Sequence, residues 1–117
     1  MSVIEQVRER SVKNQSIRNE AMQSIIPLAI ELLSQDLIDY ADTTSERSYK
    51  MWVRDLLYNG KEKIPTIIGL QWEKKIGYMQ PSTPTEGEWT ALKDAIIAHF
   101  EKDFTLSPNS FWITFEW

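Results

Sequence analysis

The chain has 117 residues, 42% of them apolar and 26% charged, with a net charge of −4, which is the profile of one folded domain over 1–117 and not of a disordered or fibrous chain. It contains no cysteine, which excludes disulfides, thiolate zinc sites and cysteine nucleophiles. The longest apolar run covers residues 25–30, far short of the roughly 20 residues that cross a bilayer. The opening MSVIEQVRERS has an early glutamate and no apolar core, so no secretory signal is expected, and a cytoplasmic protein without membrane association is.

Charge falls in blocks: +2 over residues 1–18, −6 over 19–46, +4 over 47–75 and −4 over 76–117. Such blocks either pair within the fold or gather into patches that meet a partner.

Residues 1–20 are mostly polar, with Val3, Ile4, Val7, Val12 and Ile17 scattered along them. The composition predicts a helix with a thin apolar stripe. It is either a surface helix touching the core by one edge, or a frayed or projecting arm able to support dimerisation.

Residues 21–41 organise the chain. Ala21, Ile25, Leu28 and Leu32 form one series at steps of three and four. Ile26, Ala29 or Ile30, Leu33, Leu37 and Tyr40 form a second, and together they mark a helix with a broad apolar face. Pro27 interrupts it, because an interior proline removes a backbone bond and crowds the preceding turn. A break or kink is expected between Ser24 and Pro27, with Ser24 as N-cap and Pro27 in the first turn. Asp36, Asp39 and Asp42 recur at every third residue near the helix C-terminus, where the dipole favours cations. They read as a solvated face or the counterpart of a basic partner, and no metal site is expected.

Thr43 and Glu46 match a capping box and predict a helix to about Asn59, closed by Gly60. Its apolar face is Tyr49, Trp52, Val53, Leu56 and Leu57. Residues 61–80 fit two descriptions. Residues 64–69 can form a short strand that Pro65 confines to an edge, or Thr66 can cap a helix over 66–76. The spacing of Ile68, Trp72 and Ile76 favours the helix. Thr83 and Glu86 give a second capping box, with Pro84 at the first helical position. The helix that follows runs to about Asp103 and buries Trp89, Leu92, Ile96 and Phe100. Residues 106–110 read as a turn.

The final FWITFEW alternates Phe111, Ile113, Phe115 and Trp117 with Trp112, Thr114 and Glu116, the period of a strand. A lone strand leaves its backbone groups unpaired. Its partner is expected to be residues 61–69, a second copy of the chain, or another protein's sheet edge. The fold class predicted is mainly α: a compact bundle of four to five helices with a short C-terminal β-strand.

Three constellations bear on function. Large aromatics on both faces of the last strand suit association, and tryptophan is a favoured anchor; Phe111, Trp112, Phe115 and Trp117 are the partner-binding candidates. The basic block of Arg47, Lys50, Arg54, Lys61, Lys63, Lys74 and Lys75 is interleaved with Tyr49, Trp52, Tyr58, Trp72 and Tyr78. Cations with aromatics can track a phosphate backbone and stack on bases, although the acidic block is available to neutralise them. His99, the only histidine, precedes Asp103 by one turn, but no activated nucleophile accompanies the pair. The four glycines stand apart, so no phosphate-binding loop can be built. The expectation is a non-enzymatic protein–protein interaction module (an adaptor, inhibitor or assembly factor) without cofactor. It binds another protein or itself as a dimer, through the aromatic strand and adjacent helix faces. The alternative is nucleic-acid binding through the 47–75 block.

Overall fold

The computed structural model describes residues 2–60 and 63–117. Among them the element order is α1 (Val3–Thr43), β1 (Ser48–Trp52), a 3-10 turn (Val53–Leu56), β2 (Tyr58–Asn59), β3 (Ile64–Pro65), α2 (Ile67–Ile76), α3 (Glu86–Phe100), β4 (Thr105–Asn109) and β5 (Trp112–Glu116). The expected bundle of four to five helices is therefore wrong. The described residues form three helices and two small antiparallel sheets, one ordered β1-β5-β4 and one pairing β2 with β3.

α1 is one uninterrupted helix of 41 residues, about 61 Å long, and it sets the 63 Å long dimension of the molecule. The predicted break at Ser24–Pro27 does not occur. Pro27 and Gln23 lie on the exposed side of the helix, so the Gln23 carbonyl that loses its amide partner faces water. Ser24 is not a cap; its hydroxyl donates to the Ala21 carbonyl at 2.7 Å. The N-cap is Ser2, whose hydroxyl accepts from the Glu5 amide at 3.2 Å.

The helix expected over 46–59 is replaced by β1, the 3-10 turn and β2. Met51 is buried and Tyr49 half-buried, while Ser48, Lys50 and Trp52 are exposed, a period of two. β5 offers a matching edge in register, from Ser48 opposite Glu116 to Trp52 opposite Trp112. Thr43 stays inside α1, donating to the Asp39 and Tyr40 carbonyls, so its capping box with Glu46 cannot form.

α2 follows the predicted pattern: the Thr66 hydroxyl accepts from the Gly69 amide at 3.1 Å and caps the helix. The strand description also holds in part, because Ile64 and Pro65 pair with Asn59 and Tyr58. Gly69 seats α2 against the preceding segment. A Cβ there would overlap the Leu57 carbonyl oxygen, which accepts both the amide and the hydroxyl of Thr66. The cap of α3 is Thr85 with Glu88, two residues beyond the predicted Thr83 with Glu86. The α3 core positions Trp89, Leu92, Ile96 and Phe100 are buried as expected.

The last strand is confirmed, but its partners differ from those expected. β5 is the central strand, held between β1 and β4, and most of the stretch 106–110 expected as a turn belongs to β4 (Thr105–Asn109). Ile113 and Phe115 are fully buried. They close a core built from Ala21, Ile25, Ala29 and Leu33 of α1, Trp72 of α2, and Leu92 and Ile96 of α3. Each large side chain so buried contributes roughly 1.5–3 kcal/mol before entropy is counted.

One polar cluster fastens the helices together. Arg18 donates to both carboxylate oxygens of Glu88 (2.7–3.2 Å) and to the carbonyls of Pro81 and Thr83. Its guanidinium lies 5.1 Å from the Trp72 ring centre, and the Trp72 indole donates to the Ser82 carbonyl at 2.9 Å. Burial pushes the Glu88 carboxyl up, but hydrogen bonds from Arg18 and the Thr85 amide outweigh it and hold the carboxyl below its ordinary range. This cluster lies where α1 leaves the body. Toward the N-terminus from Arg18, every residue with a described side chain is exposed except Gln6 and Ile17.

Candidate functional site: an acid-rimmed apolar groove

A groove of about 1050 Å³ opens between α1, β1 and the start of α2. Leu28 and Leu32 of α1 form one wall, 40% and 39% exposed. Ile67 and Leu70 of α2 form the other, at 85% and 54%. Trp52 and Trp112, cross-strand neighbours on the outer face of the sheet, complete it. Their rings stack with centres 6.0 Å apart and planes inclined by 22°, and Lys50 Nζ stands 4.9 Å over the Trp112 ring.

β1 also bounds the groove with its outer edge. The Val53 amide donates to the Phe111 carbonyl and the Trp117 amide to the Arg47 carbonyl. In antiparallel pairing this directs the backbone groups of the odd-numbered residues of β1 toward β5 and those of Ser48, Lys50 and Trp52 away from it. Among the described residues no strand covers that edge.

The rim is acidic. Glu31, Asp36 and Asp55 line the groove against the single cation Lys50. Burial, and then the nearby Asp39, raise the Asp36 carboxyl above its ordinary range. Tyr49, under the same rim, is raised by burial and by Asp36 and Asp55. Burial is the larger cause of both shifts, and the neighbouring carboxylates add a smaller electrostatic part.

The partner-binding candidates separate on the two faces of β5. Trp112 lines the groove. Trp117 is 40% exposed and stands edge-on to Tyr40 and Phe104, outside it. Phe115 is fully buried between Phe100 and Phe104, and Phe111 is half-buried beneath Arg54 and Lys93. Leu28, Leu32, Ile67 and Leu70 are site residues that the sequence does not point to. Leu28 and Leu32 fit the core stripe of α1 by their spacing, yet are partly exposed. Ile67 and Leu70 fall outside the Ile68–Trp72–Ile76 series, and that spacing was the available signal.

The basic block does not form one row. Lys50 lines the groove, while Arg54 and Lys63 border a smaller cavity of about 450 Å³ with Trp52, Tyr58 and Trp89. There the Tyr58 hydroxyl, buried with no hydrogen-bond partner, is pushed up to about 12 by burial and Glu73 against the opposing pull of Arg18. Arg54 is flanked by the rings of Trp89 and Phe111. Lys74 and Lys75 end α2, and Arg47 precedes β1. Lys61 lies outside the described residues. No ion pair with the 19–46 acids forms among the described residues, where the one salt bridge is Arg18–Glu88. His99 and Asp103 are exposed and line neither cavity. Among the described residues no helix is long and apolar enough to cross a membrane.

No known protein family, curated protein or solved structure matches the chain.

Proposed function

We propose that this protein acts by binding protein, as a non-enzymatic docking module whose groove receives an amphipathic helical segment with apolar side chains flanked by lysine or arginine. The observation that carries this reading is the coincidence of six exposed large apolar side chains with three carboxylates around one groove. Exposed apolar surface of this kind marks interaction sites. Tryptophan supplies anchoring area, and a negative rim selects a cationic partner and hastens its arrival. The stacked Trp52–Trp112 pair makes the site its own reporter.

A short amphipathic Leu–Lys peptide is the test, with a Leu–Glu peptide of the same pattern as control. Tryptophan fluorescence of the full chain should change saturably with the first and not with the second. The response should weaken at least tenfold with Asp36→Lys and with Trp112→Ala. No saturable response to the Leu–Lys peptide, or a response indifferent to both substitutions, overturns the reading.

A further inference from the structure

The smaller cavity shares Trp52 and Asp55 with the groove, and it holds chemistry that docking of a cationic helix does not use. Its lining brings Arg54, Lys63 and the single carboxylate Asp55 together with the rings of Trp52, Tyr58 and Trp89. We propose that this cavity binds a small planar aromatic anion, an aryl carboxylate or an aryl phosphate, its flat part held by the rings and its charge by Arg54, Lys63 and Tyr58.

Two unspent donors point to a ligand. Among the described residues, Arg54 Nε and the Tyr58 hydroxyl are the buried side-chain polar atoms without a hydrogen-bond partner. Buried polar atoms are seldom left so, because an unpaired one costs free energy. Here both residues line one cavity. Arg54 has no carboxylate partner either, since the one salt bridge among the described residues is Arg18–Glu88. Rings hold its guanidinium instead, with centres 5.6 Å away for Trp89 and 4.9 Å for Phe111. Ring packing of this kind orients the guanidinium without consuming the Nε hydrogen. The planar fork it presents is the one that carboxylates and phosphates accept.

The sign of the ligand's charge follows from the same lining. Arg54 and Lys63 against Asp55 leave one positive charge in excess. The Thr83 carbonyl, also on the wall, is already taken by Arg18. Burial and Glu73 push the Tyr58 phenol up to about 12 against the pull of Arg18, so its hydroxyl stays a donor at neutral pH. An anionic acceptor answers guanidinium, ammonium and hydroxyl together, whereas a cation or an apolar molecule would leave both buried donors unpaired.

Size and shape set the rest. The cavity measures about 450 Å³, within the roughly 300–1,000 Å³ of small-molecule sites. Trp52 is 38% exposed and offers ring surface for stacking. Tyr58 and Trp89 meet edge to face at 73°, their centres 6.4 Å apart. A phosphate polymer is not favoured: Arg47, Lys74 and Lys75 lie outside the lining, so these cations do not extend the site along a backbone.

The test is calorimetric titration of the full chain with indole-3-acetate and with phenyl phosphate, each beside its neutral counterpart, indole-3-acetamide and phenol. At least one anion should bind saturably at a single site, at least tenfold tighter than its counterpart; which anion binds separates a carboxylate site from a phosphate site. In heteronuclear NMR spectra the Trp89 indole N–H should shift, and that of Trp117, which lines neither cavity, should not. Tyr58→Phe keeps the ring, removes the hydroxyl and should weaken binding at least tenfold, as the loss of a hydrogen bond to a charged group does. The melting temperature of unliganded Tyr58→Phe should equal or exceed that of wild type, since a buried hydroxyl without a partner lends the fold nothing; a hydroxyl of purely structural role would lower it. Arg54→Lys keeps the charge, loses the fork and should also weaken binding at least tenfold, with circular dichroism checking its fold; Tyr58→Phe decides the matter if that variant does not fold. No saturable binding of either anion at millimolar concentration, a neutral counterpart that binds as tightly, a shift at Trp117 in place of Trp89, or Tyr58→Phe with unchanged affinity or a lowered melting temperature overturns the proposal. The site stands independently of the groove's occupant, so the Leu–Lys peptide can fail while the anions bind, and the reverse.

Discussion

Over residues 3–17 of α1, four branched apolar side chains stand in solvent and the helix is secured by its own backbone and the Ser2 cap. Over residues 18–43 the same helix buries Ala21, Ile25, Ala29, Leu33 and Leu37, and its first buried side chain, Arg18, is tied to Glu88 and the 81–83 segment. Covalent geometry and helical repeat are the same in both halves; what differs is tertiary contact. Helix propensity alone leaves a segment marginal, and packing of one face supplies most of the stability of a helix in a protein. The N-terminal half therefore depends on whatever else touches it.

The sharpest way to break this contrast is at its boundary. Arg18→Ala leaves the Glu88 carboxylate buried without its cation and should cost about 3–5 kcal/mol in urea unfolding. A loss below 1 kcal/mol would mean that the cluster does not anchor the body. Next in size, Ile25→Ala should cost about 2–5 kcal/mol by cavity formation. Val7→Ala, in the exposed arm, should stay within about 0.5 kcal/mol. Equal losses would erase the distinction between the halves.

The pH dependence is smaller and has a definite sign. Glu88 titrates lower folded than its ordinary 4.5, so its contribution is complete above that value and is lost as pH falls through the lowered folded value. Asp36 is raised, so it acts in the opposite direction: protonation as pH falls toward its folded value favours the folded state. Urea midpoints of Glu88→Gln and Asp36→Asn across this acid range should diverge from wild type with opposite slopes. Smallest of all, Asn14→Gly should loosen the arm by roughly 0.1–0.4 kcal/mol, the small gap in helix propensity between asparagine and glycine. Faster amide exchange is expected over residues 3–17 of dilute protein, with no change in the global midpoint.

Much of the helical core was legible because its signal is local. The repeats of Ile68, Trp72 and Ile76, and of Trp89, Leu92, Ile96 and Phe100, each lie within one element and do not depend on a distant partner. The strand over residues 48–52 is hidden for the opposite reason. Tyr49, Met51 and Val53 alternate as a strand should, but Tyr49, Trp52, Val53 and Leu56 also fit a helix. The choice is made by β5, more than fifty residues away. Pro27 misled in another way: its cost depends on whether the freed carbonyl is buried or wet, a tertiary property. For the groove, the tryptophan on the outer face of the last strand was visible in the alternation. Its neighbours from α1 and α2 were not, since no spacing within one segment shows which two helices will flank a sheet edge.

α1 crosses from arm to body without a hinge, so it carries angular phase as well as length. One residue inserted near position 15 would turn Val3 and Val7 by about 100° and advance them about 1.5 Å, while the body would keep its sequence unaltered. Four inserted residues would bring the stripe back to within about 40° of its original azimuth and displace it outward by about 6 Å. The N-terminal segment thus behaves as a keyed shaft, in which the direction its apolar stripe faces is set by a residue count and not by any contact it makes.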